Sequence, residues 1–169
     1  LVREGQKLCK EHDIDYLIAV GGGSVIDSIK CIADSAHYDG DPWDFVCKKI
    51  PVTEALPIAV VLTIPAAGSE SSKNSVISND ELGLKTGFGS DINRPKFAFL
   101  NPELTMSLPA YQTAAGCTDM FAHLLERFFD DAENIPATDN LNMSLMKTIR
   151  ANALRVLEEP YNYDARANI

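Results

Sequence analysis

Paired cysteines are missing from this sequence. Its four cysteines, Cys9, Cys31, Cys47 and Cys117, stand far apart and form no C-x-x-C pair. That excludes a zinc knuckle and speaks against a disulfide frame. They read as free thiols of a reducing compartment, so a cytoplasmic protein is expected. Positive charge is scarce too: 15 Lys and Arg stand against 24 Asp and Glu, for a net charge of -9. A nucleic-acid partner needs a basic face, so none is expected. No apolar run is long enough to span a bilayer and no signal-peptide pattern is seen, so no membrane partner is expected. Neither G-x-G-x-x-G nor G-x-x-x-x-G-K-[ST] occurs, which excludes the usual mononucleotide loop. Internal repeats and low-complexity segments are absent as well.

What is present has the makeup of a soluble globular chain, with 46% hydrophobic and 23% charged residues. The 169 residues leave room for one domain with a real core, or one domain and part of another. The chain opens on Leu1 and on a helix-like stretch with no strand before it, so a piece of a longer protein is expected.

The pattern centres on one turn. Tyr16 to Val20 is a short apolar run and reads as a buried strand. Gly21-Gly22-Gly23-Ser24 follow. Beyond them Val25, Ile26, Ile29, Ile32, Ala33 and Ala36 fall at the spacing of one helix face. Glycines between a strand and a helix let backbone amides approach an anion, and the helix N-terminus favours a phosphate. In a doubly wound sheet, ligands bind at such places. The competing reading is structural: Ser24 and Asp27 form a serine-x-x-acid capping box, and tight turns use glycine without binding anything.

A second strand, Ile58 to Leu62, runs into Thr63-Ile64-Pro65-Ala66-Ala67-Gly68-Ser69-Glu70, a loop of small and hydroxyl residues. In a parallel sheet it ends on the same edge as the glycine turn. The structural alternative is a plain turn with Ser69 or Ser71 capping a helix. Val76 to Ser78 and Leu84 to Phe88 read as a hairpin around Asn79-Asp80. Lys85 lies on it, and a lone lysine is usually a solvated charge. Trp43 and Phe45 should pack a loop onto the core. Lys96 to Leu100 reads as a short strand.

Everything after Leu108-Pro109 reads as helical, with Pro109 as a first helical residue. The domain boundary is therefore placed near Ser107. Asp119 and His123 are four apart, so both leave one helix face one turn apart, a spacing that suits two ligands of one divalent ion. A surface hydrogen bond would use the same spacing. Apolar neighbours Met120, Phe121, Ala122, Leu124 and Leu125 suggest a largely buried helix. Glu126 falls on a similar face. His12 and His37 sit in polar surroundings and are given no metal role.

These stretches together resemble the iron-containing (group III) alcohol dehydrogenase family, most closely its butanol-dehydrogenase-like branch. The matching segments are GGGSVID from Gly21, TIPAAGSES from Thr63, VIS from Val76 with Lys85 beyond it, NPELTMSLP from Asn101 and GCTDMFAHLLE from Gly116. They keep the family's order and cover nearly the whole chain. The resemblance implies an α/β fold: a parallel-sheet dinucleotide-binding domain over residues 1–107, then the start of an all-helical metal and substrate domain over 108–169, both incomplete. It implies a pyrophosphate turn at Gly22, Gly23 and Ser24, with Asp27 close to the cofactor. Thr63 and Ser69 match cofactor contacts, and Lys85 matches a lysine near the nicotinamide ribose. Asp119 and His123 match the first two metal ligands. The other two ligands are expected outside this chain, as are the residues that choose NAD or NADP. Ala67 stands where many members carry threonine. The implied reaction is hydride transfer between NAD or NADP and a small alcohol or aldehyde, with a divalent metal, Fe2+ or Zn2+, as Lewis acid. A homo-oligomer is expected. Rival readings are a glycerol-dehydrogenase- or dehydroquinate-synthase-like enzyme of the same fold, or a nucleotide-binding domain without chemistry.

Overall fold

A glycine-rich link after a short strand forces an immediate reversal into a helix, and the architecture is built on that reversal. The computed structural model describes all 169 residues, Leu1–Ile169. Their Cα packing divides into two compact units, Leu1–Leu100 and Asn101–Ile169.

In the first unit, α1 (Val2–Glu11) leads to β1 (Leu17–Gly21), and α2 (Gly23–Ser35) follows at once. A short helix α3 (Trp43–Val46) precedes β2 (Ile58–Leu62). The hairpin β3 (Asn74–Asn79) and β4 (Leu84–Gly89) comes next, then β5 (Phe97–Phe99). The three strands β1, β2 and β5 form a parallel sheet with β2 in the middle. Register pairs Leu17 with Ile58 and Gly21 with Leu62, so β1 and β2 end level with each other. The hairpin is a separate antiparallel pair, with Ser78 opposite Lys85.

The sheet buries one face. Ala19, Ile58, Val60 and Leu62 pack with Ile26, Ile32, Ala33 and Ala36 of α2 and its C-terminal end, and with Cys9 of α1. The other face carries Ile18 and Val20, 60% and 62% exposed, with Phe97 and Phe99 also exposed. The expectation of a fully buried first strand is therefore corrected: side chains alternate across a strand, and no element of this unit covers the second face. A smaller cluster of Cys31, Phe45, Val46 and Phe88 forms on the far side of α2, with Trp43 against it. The helix α2 is consequently buried on two sides, where the apolar spacing predicts one.

The second unit is helical: α4 (Ala110–Phe128), α5 (Pro136–Glu158) and α6 (Tyr163–Ala167). Pro109 is the residue before α4 rather than its first turn, which suits a ring that cannot donate an amide hydrogen. Cys117, Leu124 and Ile149 make the core, with Met120, Phe121 and Met146 packed on it.

Candidate functional site

The link between β1 and α2 is a single residue. Gly22 is extended (φ -92°, ψ -169°), and its carbonyl accepts from the Val25 and Ile26 amides at 3.0 and 3.1 Å. Gly23 and Ser24 are then the first two helical residues, whose amides no carbonyl of the helix can reach. None of the three glycines has a positive φ. At Gly21 and Gly22 the fit to neighbouring side chains favours glycine. A β-carbon on Gly22 would stand 2.4 Å from Ile64 Cγ2, and one on Gly21 would stand 2.7 Å from Val25 Cγ2. At Gly23 the nearest atoms are Ala67 Cβ and Ser69 Oγ, both 3.5 Å away.

Those neighbours belong to the loop after β2. Because β1 and β2 are parallel and end in register, both loops leave the same sheet edge, as the pattern predicts. The Thr63 amide donates to the Gly21 carbonyl at 3.2 Å and joins them directly. Gly68 (φ +65°) makes the one left-handed step of this loop. Its carbonyl accepts from the Ser71 and Ser72 amides, so Ser69 to Ser72 is a turn. No helix follows it, and the alternative of a helix capped by Ser69 or Ser71 falls away.

The capping box is also corrected. Ser24 lies inside α2, and no side chain caps the helix. The helix starts earlier than the apolar spacing suggests, because Gly23 itself turns helical. Asp27 points elsewhere: its Oδ2 accepts from the Val76 amide at 2.9 Å, and its own carbonyl accepts from Ser75 Oγ at 2.8 Å. Asp27 is 9% exposed, and its Oδ1 has no partner.

A cavity of about 820 Å³ opens here, lined among others by Gly23, Ser24, Asp27, Ala67 and Lys85. That volume lies within the roughly 300–1,000 Å³ of small-molecule sites. Gly22, Thr63 and Ser69 are not on its wall; they shape the two loops behind it. Free amides, a helix N-terminus and an unpaired acceptor on Asp27 make a donor and acceptor set that fits a phosphate with a polar ring or sugar beside it.

Two buried residues of this site escape the local pattern. Lys30 is 0% exposed, and its Nζ donates to the carbonyls of Ser69, Ser72 and Asn74 at 2.8, 2.9 and 2.8 Å. Burial pulls its ammonium below the usual lysine value, against the fields of Asp27 and Glu70. Asp34, 3% exposed, accepts from Asn93 Nδ2 at 3.0 Å. Burial raises its pKa to about 7, opposed by that hydrogen bond and by Lys30. Asp27, Lys30 and Asp34 stand at i, i+3 and i+7, a polar stripe on one face of α2. That spacing within an otherwise apolar helix is the signal that could have found them.

In the helical unit Asp119 and His123 leave α4 one turn apart, with Oδ2 and Nε2 separated by 3.7 Å. Both side chains are 61% exposed. The expectation of a buried helix around them is corrected. The buried residues of α4 are Thr113, Cys117 and Leu124. At about 100° per residue, Asp119 lies some 200° round from Cys117, on the solvent side. Glu126 Oε2 is 3.9 Å from His123 Nδ1 and is exposed as well. No group of three or more His, Cys, Asp or Glu is placed to hold a metal ion. A carboxylate and an imidazole suit Fe2+ or Zn2+ as donors, but they are part of a set. His12 and His37 are both exposed.

Comparison with known proteins agrees with the segments that carry the resemblance. Residues 1–102 match the family described as iron-containing alcohol dehydrogenase. Residues 113–169 match the C-terminal region of the Fe-containing alcohol dehydrogenase family. A probable NADH-dependent butanol dehydrogenase 2 of Bacillus subtilis (strain 168) is 45% identical over 99% of this chain and 43% of its own length. The NADPH-dependent aldehyde reductase YqhD of Escherichia coli (strain K12) is 39% identical over 96% of this chain and 43% of its own. The crystal structure of NADH-dependent butanol dehydrogenase A from Thermotoga maritima superposes with a TM-score of 0.91 at 37% identity. That superposition covers 99% of this chain and 42% of the other. The chain thus spans about 43% of the length of the curated relatives it matches. It belongs to the iron-containing alcohol dehydrogenase family.

Proposed function

We propose that the protein containing this chain is a metal-dependent, nicotinamide-linked alcohol dehydrogenase or aldehyde reductase acting on small alcohols and aldehydes. The observation that carries the reading is the junction of two loops at one sheet edge. Thr63 is bonded to Gly21, and Ala67 and Ser69 face Gly23 beside an open cavity. The named relatives, one NADH-dependent and one NADPH-dependent, support NAD or NADP as the cofactor.

In this reading residues 1–107 bind the cofactor and 108–169 begin the metal and substrate region. The Gly23 and Ser24 amides receive the pyrophosphate, and Gly22 lets the two loops close together. Thr63 and Ser69 hold the second loop. Asp27 keeps an acceptor at the cavity wall, and Lys85 brings a positive charge to the wall formed by the hairpin. Asp119 and His123 are two of the ligands of a divalent ion. When bound, the nicotinamide gives or takes a hydride, and the ion, Fe2+ or Zn2+, polarises the substrate oxygen. This chain's part is to bind and orient both. The reading extends to a cytoplasmic homo-oligomer.

The test is made on the full-length protein: metal by elemental analysis, and butanal reduction followed through NADH and NADPH oxidation. Turnover that vanishes with a chelator and returns with Fe2+ or Zn2+ is the expected result. A purified, folded protein that binds neither dinucleotide and holds no metal would overturn it.

A further inference from the structure

The loop from Gly68 to Lys73 has no strand or helix of its own and runs into β3 at Asn74, yet it faces the glycine turn. Such a loop is ordinarily held at the surface by turns. Here its carbonyls at Ser69 and Ser72 and that of Asn74, the first residue of β3, converge on one buried ammonium, that of Lys30, and use all three of its donors. No carboxylate lies within ion-pair distance of Lys30. A core position needing volume alone would take an apolar residue, because a buried cation without a counter-charge is costly. The arrangement instead suits a tie between α2 and the loop. Other bonds reach this segment from its outer side: Arg94, an exposed residue, donates from Nη1 to the Ser71 carbonyl at 2.8 Å, the Ser90 amide donates to the Lys73 carbonyl at 3.3 Å, and Lys73 Nζ donates to Asp91 Oδ2 at 3.5 Å. Lys30 is the tie on the inner side. It sits two turns into the helix whose first residues are the phosphate seat.

We propose that Lys30 is a positioning residue for the dinucleotide site, fixing the Gly68–Lys73 loop and the first residue of β3 so that Ala67 and Ser69 stand against Gly23. This rests on the reading of the cavity as a dinucleotide site. Lys30 touches no ligand; it acts through the loop carbonyls. Its neighbour on the polar stripe, Asp27, anchors the start of β3 at Val76 in the same way. Together they lock the hairpin and the loop to one helix.

The experiment uses the full-length protein with Lys30→Met, which keeps volume and removes every donor. Lys30→Gln keeps a shorter neutral donor. Asn93→Ala removes the donor to buried Asp34 and so destabilises the same stripe of α2 further from the turn. Three readouts are taken: hydrogen exchange of amides 66–74 without nucleotide, calorimetric Kd for NADH or NADPH, and KM against kcat. Lys30→Met should speed exchange in 66–74 and raise Kd and KM for the dinucleotide at least tenfold. Its kcat at saturating dinucleotide should stay within twofold. Lys30→Gln should fall between, and Asn93→Ala should lower Tm with Kd unchanged. A folded Lys30→Met protein with wild-type Kd overturns the proposal, as does an equal rise of Kd in Asn93→Ala. Should Lys30→Met not fold, Lys30→Gln is judged by the same criteria. Wild-type protein that binds neither dinucleotide overturns the reading of the cavity and this proposal with it. Normal wild-type binding with unaffected Lys30 variants overturns the role of Lys30 alone.

Discussion

Gly22 lies against Ile64, so close that a β-carbon on the glycine would stand 2.4 Å from Ile64 Cγ2. The backbone at Gly22 is one that alanine can adopt, so the obstacle is packing. Gly22→Ala should cost about 1–3 kcal/mol in urea unfolding of the full-length protein, less than additively when combined with Ile64→Ala. At Gly23 the nearest atoms are 3.5 Å off, an ordinary contact. Gly23→Ala should therefore change stability by no more than about 0.5 kcal/mol. Its added methyl should still weaken dinucleotide binding at least tenfold, with metal content unchanged. Unaltered affinity in Gly23→Ala would remove the phosphate seat from this turn.

The carboxylate of Asp27 has two unlike oxygens, one bonded to the Val76 amide and one buried with no partner. Asparagine can keep the first bond and put a donor where the free acceptor stood. Asp27→Asn should therefore melt near wild type and bind the dinucleotide several-fold differently. Asp27→Ala leaves the Val76 amide unpaired and should lose about 1–3 kcal/mol. Calorimetry and denaturant titration on both variants separate the two effects. A large drop in Tm for Asp27→Asn with normal binding would make the residue purely structural.

Asp34 makes stability depend on pH. Its pKa rises from 3.8 to about 7 because it is buried. The folded state then holds a proton that the unfolded state has released between those values. Stability from this group is full below about pH 4 and is lost as pH climbs through about 7, with a slope of up to about 1.4 kcal/mol per pH unit. Asp34→Asn keeps an acceptor for Asn93 and carries no charge. It should match wild type near pH 4, gain on it steadily up to about pH 7, and keep that margin at pH 8 in thermal melts. Parallel melting curves for the two proteins across that range would refute the buried-acid account.

Asp119 and His123 are exposed and support no packing. Asp119→Ala and His123→Ala should change stability by less than about 0.5 kcal/mol. In the full-length protein each should release the metal and abolish aldehyde reduction. The 169-residue chain alone has no group of three donors placed to hold an ion, so it should retain well under one equivalent of metal after dialysis and show no turnover. Near-stoichiometric metal with turnover in this chain would show the ligand set to be complete within it.

The strands Ile58–Leu62 and Phe97–Phe99, the hairpin, the glycine turn and the long helices after Pro109 were legible in the sequence, because they follow from apolar period, glycine and proline. The segments matching the family were legible for the same reason: each is a contiguous string. Helix limits at Ser24 and Pro109 were off by a residue or two, since backbone geometry at a cap is set by what the neighbouring chain allows. Tertiary structure alone decided where polar side chains find partners. Asp27 reads as part of a capping box but bonds to Val76, and Lys30, which no local pattern singles out, gathers three carbonyls from residues 69 to 74. It also decided that Ile18 and Val20 stay bare while Asp119 and His123 face solvent. The physical reason is range. Periodicity reports which face of an element is apolar, whereas a hydrogen bond across some forty residues of chain exists only once the chain has folded and brought both ends together.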